Sequence, residues 1–327
     1  MPARLEVFND RITRGLPVGF QLDCKPPRPP HAGDKWGIVT SGRFAAALRA
    51  GGPYCPKPYH DLIMPIAAGL YYANSEGGNL GAASTLQPPV VLIHGAGSSH
   101  LCWPAALRRL PGCRVLALDL PGHGRSVEVG LQSLEATAER LVDFLEALGL
   151  YQAVFVGHSM GGAAALCLAA RHPGHVAGLG LIASGAYLDV PAGLLQSLSS
   201  PVTYEIGLRQ IEARLGGPST PPALLKLAVH LMRQTRPSVL YADWLACSGY
   251  DLRAEVTAIR APAWLACGTE DRLTPLAFSH FLASRLPDAD LQILSGAGHL
   301  ALLEQPDALA EGLLAFLRRK GLLAPPV

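Results

Sequence analysis

The stretch Gly157-His158-Ser159-Met160-Gly161 constrains this chain more than any other. It follows an apolar run, Ala153-Val154-Phe155-Val156, and precedes a run of small residues, Gly162-Ala163-Ala164-Ala165-Leu166. Strand, then Gly-x-Ser-x-Gly, then helix is the setting that a nucleophile elbow requires. A serine on so sharp a turn has strained backbone angles, and the glycines two residues to either side keep neighbouring side chains away. Its hydroxyl then stands at a helix start, where free backbone N–H groups point at any negative charge developing beside it. The pattern predicts a strand and a helix back to back, with an exposed hydroxyl between them.

The rest of the chain can support such a turn. Its 327 residues suffice for one large domain or two modest ones. With 49% apolar and only 16% charged residues, the chain can bury a substantial core, which excludes disorder throughout. No apolar run approaches the ~20 residues of a membrane-spanning helix, so stable membrane insertion is not expected. Residues Arg4, Glu6, Asp10, Arg11 and Arg14 precede no apolar segment of the secretory kind, and the expected location is cytoplasmic. Seven scattered cysteines show neither Cys-x-x-Cys spacing nor histidines at metal-ligand intervals. Cys167 and Cys267 lie in apolar runs and read as small buried residues. Neither a disulfide framework nor a zinc site is expected.

The net charge of +2 is unevenly distributed. Residues 1–63 hold nine Lys/Arg against five Asp/Glu, and the remainder holds 18 against 20. A nearly neutral body gives no electrostatic case for nucleic acid. The leading segment is also crowded with prolines at 26, 27, 29, 30, 53, 56 and 58. Only Arg43–Arg49 has the composition of two helical turns. Such a segment buries too little to offset chain entropy, so residues 1–63 read as a proline-rich, mostly disordered extension. A further expectation is that Met64 is the true start, which an intact mass corresponding to all 327 residues would refute.

After Met64 the pattern alternates. Gly69–Asn74 reads as an early strand. Val90–Ile93 and Arg114–Leu118 are continuous apolar runs, as in strands buried on both faces of a parallel sheet. Trp103–Leu110 between them reads as a helix. Leu134, Leu141, Leu145 and Leu148 share one helical face, and Gly149 follows as a stop. Val176–Ala183, Ala263–Cys267 and Leu291–Leu294 read as further strands, with helices at Phe278–Leu286 and Pro306–Lys320. Strands alternating with helices imply right-handed crossovers and a sheet covered on both sides. The alternation breaks across residues 185–249, which contain helical runs such as Ala223–Met232 and are too long for an ordinary loop. This predicts a helical insertion between two sheet strands, placed as a lid over the elbow, with the core at 64–184 and 250–327.

From about residue 66 to 320 the chain resembles the α/β-hydrolase family, in its lid-bearing branch of serine hydrolases. Five stretches carry the resemblance. They are His94-Gly95-Ala96-Gly97, Asp119-Leu120-Pro121-Gly122-His123-Gly124-Arg125-Ser126, the elbow at Ser159, Gly268-Thr269-Glu270-Asp271-Arg272-Leu273-Thr274-Pro275, and Gly296-Ala297-Gly298-His299. The resemblance implies the α/β-hydrolase fold, a mostly parallel doubly wound sheet.

It also implies a catalytic triad in the chain order nucleophile, acid, base: Ser159, Asp271 and His299. A free hydroxyl attacks weakly at neutral pH, so His299 would take its proton while Asp271 accepts the second ring N–H. Glu270 is the rival acid, but the resemblance places the acid at the second carboxylate. The oxyanion would be held by the backbone N–H groups of Ala96 and Met160. His94, His123 and His158 read as structural, and Asp119 as a turn residue. Trp103, Leu101, Tyr204, Met232, Tyr241 and Trp244 read as packing residues that could also line an acyl site.

A serine nucleophile is not the aspartate used by epoxide hydrolases and haloalkane dehalogenases. The first expectation is therefore hydrolysis of a carboxylic ester with an apolar part, through an acyl-enzyme and without metal or organic cofactor. The same triad also serves carbon–carbon bond hydrolases and lyases and acyltransferases, and fold with triad does not choose among them. A ligand receptor that retains the triad is the reading from another class.

Overall fold

The computed structural model describes residues 65–75 and 87–324. The reading of residues 1–63 as a separate extension lies outside the described residues, as does the start at Met64. Among the described residues, one sheet holds β1 (Ile66–Ala67), β2 (Leu70–Ser75), β3 (Val90–Ile93), β4 (Val115–Leu118), β5 (Ala153–His158), β6 (Val176–Ile182), β7 (Ala263–Gly268) and β8 (Ala289–Leu294). Their order is 1-2-4-3-5-6-7-8. Strands β3 to β8 run parallel, and β1 and β2 add an antiparallel edge.

The helices are α1 (Ala105–Arg108), α2 (Leu134–Ala147), α3 (Met160–Arg171), α4 (Leu194–Leu198), α5 (Tyr204–Leu215), α6 (Pro222–Met232), α7 (Pro237–Ser248), α8 (Leu276–Arg285), α9 (Ala301–Glu304) and α10 (Pro306–Arg319). Alternation along β3 assigns them to layers, because successive side chains leave opposite faces. Val91 and Ile93 enter the core shared with Leu141 of α2 and Leu166 of α3. Val90 and Leu92 enter the core shared with Leu107 of α1 and Phe316 of α10. Each such aliphatic or aromatic side chain contributes about 1.5–3 kcal/mol on burial. Helix α2 shows how sequence sets an element's limits. Ser133 Oγ accepts from the Ala136 N–H at 3.1 Å at its start, and Gly149 takes φ +65° after its end.

Two expectations shift. The early strand is a hairpin, because Ala68 and Gly69 both take positive φ (+47° and +79°), as a two-residue turn requires. The helix expected at Trp103–Leu110 shrinks to the four residues of α1. Pro104 biases Trp103 toward extended backbone, and Trp103 has ψ 121°.

Helices α4 to α7 lie between β6 and β7. Leu194, Leu208, Ile211, Met232, Leu240 and Trp244 give them a core of their own, which also takes in Leu273 and Leu300 from the sheet's loops. No described helix is long and apolar enough to cross a membrane.

Candidate active site

The turn between β5 and α3 is strained. Ser159 has φ +53° and ψ −119°, a conformation that costs a non-glycine residue roughly 1–3 kcal/mol. The surroundings hold it there. Its N–H donates to the Ile182 carbonyl at 2.9 Å, and its carbonyl accepts from Ser184 Oγ at 2.8 Å. The flanking glycines are needed for close approach. A Cβ on Gly157 would lie 2.2 Å from the Gly161 carbonyl, and one on Gly161 would lie 2.2 Å from the Ile93 oxygen. Ser159 itself stays half-exposed between buried neighbours, so its hydroxyl is reachable.

The carboxyl ends of β7 and β8 bring in the other two residues. His299 Nδ1 lies 3.0 Å from Asp271 Oδ2, and both side chains are almost wholly buried. The carboxylate accepts further bonds from the N–H groups of Leu273 and Thr274, at 2.9 and 2.8 Å. Thr274 Oγ1 adds a donor at 2.8 Å and lies 3.1 Å from His299 Nδ1. Burial works against the Asp271 charge. The neighbouring His299 charge and these hydrogen bonds outweigh it and hold the carboxyl below the usual carboxylate range. Because Nδ1–H faces the carboxylate, Nε2 is the ring nitrogen with a free lone pair.

Glu270 has a different task. Its carboxylate accepts from the N–H and Oγ of Ser219, in the loop between α5 and α6. Among the described residues no hydrogen bond joins Ser159 Oγ to His299, but both side chains line one cavity.

The loop after β3 approaches the same serine. A Cβ on Gly95 would lie 3.4 Å from Ser159 Cβ. His94 fixes the loop's base, accepting from the Leu120 N–H through Nε2 at 3.0 Å. Burial, with the His123 charge beside it, pushes His94 down to about 4, so it is neutral at pH 7. His158 is also neutral. Burial and the nearby His299 push it down to about 3, and its Nε2–H donates to the His299 carbonyl at 2.9 Å. Within the loop, the Ser98 N–H turns back to the Gly95 carbonyl and the Gly97 N–H donates to Asp243. Among the described residues, the N–H groups of Ala96 and of Met160 at the head of α3 have no protein acceptor.

A sequence profile of the alpha/beta hydrolase family matches residues 90–312. The chain belongs to that family. Among curated relatives, pimeloyl-(acyl-carrier protein) methyl ester esterase of Aromatoleum aromaticum is 32% identical over 248 residues, spanning 68% of this chain and 96% of that protein. The dihydrolipoyllysine-residue acetyltransferase component of the acetoin cleaving system of Pseudomonas putida is 32% identical over 258 residues, spanning 71% of this chain and 64% of that protein. A malate-bound thermophilic esterase from Thermogutta terrifontis superposes with a TM-score of 0.68 at 24% identity, covering 77% of this chain and 93% of the other. At that identity the likeness concerns the fold.

In this family member the cavity above Ser159 is apolar on most sides. Ile211 and Leu215 of α5, Met232 of α6 and Trp244 of α7 face Leu273 and Leu300 across it. Of the expected lining residues, Met232 and Trp244 are there, whereas Trp103 is fully buried in the core beneath the sheet. Tyr204 and Tyr241 line a separate surface hollow, and Leu101 lines a groove beside the cavity. Asp119 closes the turn after β4, accepting from the N–H groups of His100 and Arg125 at 2.7 and 2.8 Å.

Residues that sequence reading did not single out also shape the site. Thr274 supports Asp271, Glu304 accepts from the Gly298 N–H at 2.6 Å beside His299, and Asp243 reaches the loop after β3. Thr274 lies three residues from Asp271, and Glu304 five residues from His299. Asp243 is 146 residues from its partner, in a helix of mainly apolar residues.

Proposed function

We propose that this chain is a serine hydrolase that cleaves a carboxylic ester through an acyl-enzyme, with Ser159 as nucleophile, His299 as base and Asp271 as its orienting acid. One observation carries the reading. His299, paired with the buried Asp271 and with its Nε2 lone pair free, lines the same apolar cavity as a serine held at φ +53°.

The steps follow from where the protons sit. Ser159 Oγ attacks the ester carbonyl as His299 Nε2 takes its proton, and ionised Asp271 stabilises the resulting imidazolium. The carbonyl oxygen, now anionic, is held by the N–H groups of Ala96 and Met160. His299 returns the proton to the leaving alcohol. Water then repeats the sequence on the acyl-enzyme, releasing the acid and restoring the serine. No metal or organic cofactor is needed for these steps.

The apolar walls support a substrate with an apolar acyl or alcohol part. Helices α4 to α7 act as the lid, with α5, α6 and α7 supplying Ile211, Leu215, Met232 and Trp244 to those walls. The esterase relative supports water as the acceptor. The acetyltransferase relative favours a second reading, in which another nucleophile takes the acyl group.

The test is steady-state hydrolysis of p-nitrophenyl esters from acetate to decanoate by the wild type and Ser159→Ala, with and without an added alcohol. Expected are turnover by the wild type and loss of at least ~1000-fold in the variant. Equal activity in the two proteins would contradict the proposal. Faster release of p-nitrophenol with alcohol, and ester in place of acid as product, would favour the second reading.

A further inference from the structure

The inserted helices grip the loop after β3 on several sides. Asp243 of α7 accepts from the Gly97 N–H at 2.7 Å. Thr235, between α6 and α7, donates its hydroxyl to the Gly97 carbonyl at 3.0 Å. Gly97 has φ +64°, and a Cβ there would lie 2.6 Å from Leu240 Cδ1 and 2.9 Å from Met232 Cγ. Its two neighbouring peptide groups and its α-carbon are therefore all set by side chains of the insertion. Asp243 thus fixes the peptide plane that joins Ala96 to Gly97, and the Ala96 N–H belongs to the next plane back, separated from it only by the two backbone torsions of Ala96.

Asp243 is well suited to this task. It is almost completely buried, and the oxygen that accepts from Gly97 also lies 2.9 Å from His123 Nε2. His123 Nδ1 lies 3.1 Å from the Pro121 carbonyl. Both ring nitrogens thus face acceptors, an arrangement that an imidazolium satisfies. The carboxylate is consequently anchored to the loop after β4 while it holds the loop after β3.

We propose that Asp243 is a positioning residue for the oxyanion hole, and that the insertion completes the hole as well as covering the cavity. The hole's geometry is then present only while α7 is seated. Access for substrate must come from movement elsewhere in the insertion. This inference rests on the assignment of Ser159 and the Ala96 N–H made above.

The experiment measures kcat, KM and the affinity of a trifluoromethyl ketone for wild type, Ser159→Ala, Asp243→Ala, Asp243→Asn and Thr235→Val. The ketone adds the serine oxygen to its carbonyl carbon and places a negative oxygen in the hole. It therefore reads the hole directly, as transition-state analogues do.

Asp243→Ala is expected to lower kcat by roughly 10- to 100-fold, the scale of a misplacement of about 1 Å. KM should change little, and ketone affinity should fall in proportion to kcat. Asp243→Asn keeps an acceptor for Gly97 and should stay within about fivefold of wild type. Thr235→Val should show a smaller loss than Asp243→Ala with the same kcat pattern. Wild-type kcat in Asp243→Ala, or a loss of kcat with ketone affinity intact, would overturn the inference. If circular dichroism shows Asp243→Ala unfolded, Thr235→Val decides, and an unchanged kcat and ketone affinity there would overturn it. Retention of activity by Ser159→Ala would instead remove the underlying assignment.

Discussion

At the scale of single residues, the site depends on placing strained or charged groups where neighbours leave them no alternative. Ser159 keeps φ +53° because its N–H and carbonyl are bound to β6 and to Ser184. Asp271 keeps its charge in a buried setting because donors surround it: His299, the Leu273 and Thr274 N–H groups and the Thr274 hydroxyl. Thr274→Val removes only the hydroxyl at nearly constant volume. A hydrogen bond to a charged group is worth about 1.5–3 kcal/mol, so kcat should fall by about tenfold or more. The acid limb of the pH–rate profile should reveal the mechanism of that loss. In the wild type the low carboxyl pKa keeps Asp271 ionised as the pH falls, and in the variant Asp271 should take up a proton at higher pH. Identical kcat and pH–rate profiles for the two proteins would show that the hydroxyl does not support the carboxylate.

At the scale of elements, the sheet collects loops from distant parts of the chain at the carboxyl ends of β3, β5, β7 and β8. Ligands of open α/β sheets bind at such edges. The insertion is tied to this edge by the His123–Asp243 pair, which makes α7 part of the pH response of the fold. Burial disfavours the His123 charge, but Asp243 and the Pro121 carbonyl outweigh it and raise the imidazole above its ordinary value. A raised folded-state value stabilises the protein fully below the unfolded histidine value of about 6.5, and the contribution is lost as pH rises through the folded value. Neighbouring His94 is neutral and Asp119 ionised over this range. Melting curves of wild type and His123→Gln from pH 6 to 9 test this. The wild-type advantage in Tm should be largest near pH 6 and shrink as pH rises. A constant or widening gap would exclude the buried ion pair.

At the scale of the whole molecule, the legible parts were those whose physics is local. β3, β4 and β5 stand out because strands buried on both faces are continuous apolar runs. The elbow stands out because Gly157, Ser159 and Gly161 all answer to one tight turn. The two adjacent carboxylates do not by themselves say which one faces His299; the family resemblance points to Asp271, and the physical reason is a turn that sends Glu270 to Ser219 instead. Asp243 and Thr235 were illegible for a similar reason. Their partner, Gly97, is far away in sequence, and nothing within α7 marks a buried carboxylate as different from a solvated one. The boundaries of α1 and the β1–β2 hairpin turned on single backbone preferences at Pro104, Ala68 and Gly69.

If Ser159 is the nucleophile, a covalent probe should capture it without any substrate being turned over. The protein is treated with a fluorophosphonate, digested and mapped by mass spectrometry, in parallel with His299→Ala. One adduct per chain is expected, on Ser159, formed at least ~100-fold more slowly without the histidine. An adduct on another residue, or none while ester turnover continues, would contradict Ser159 as the nucleophile.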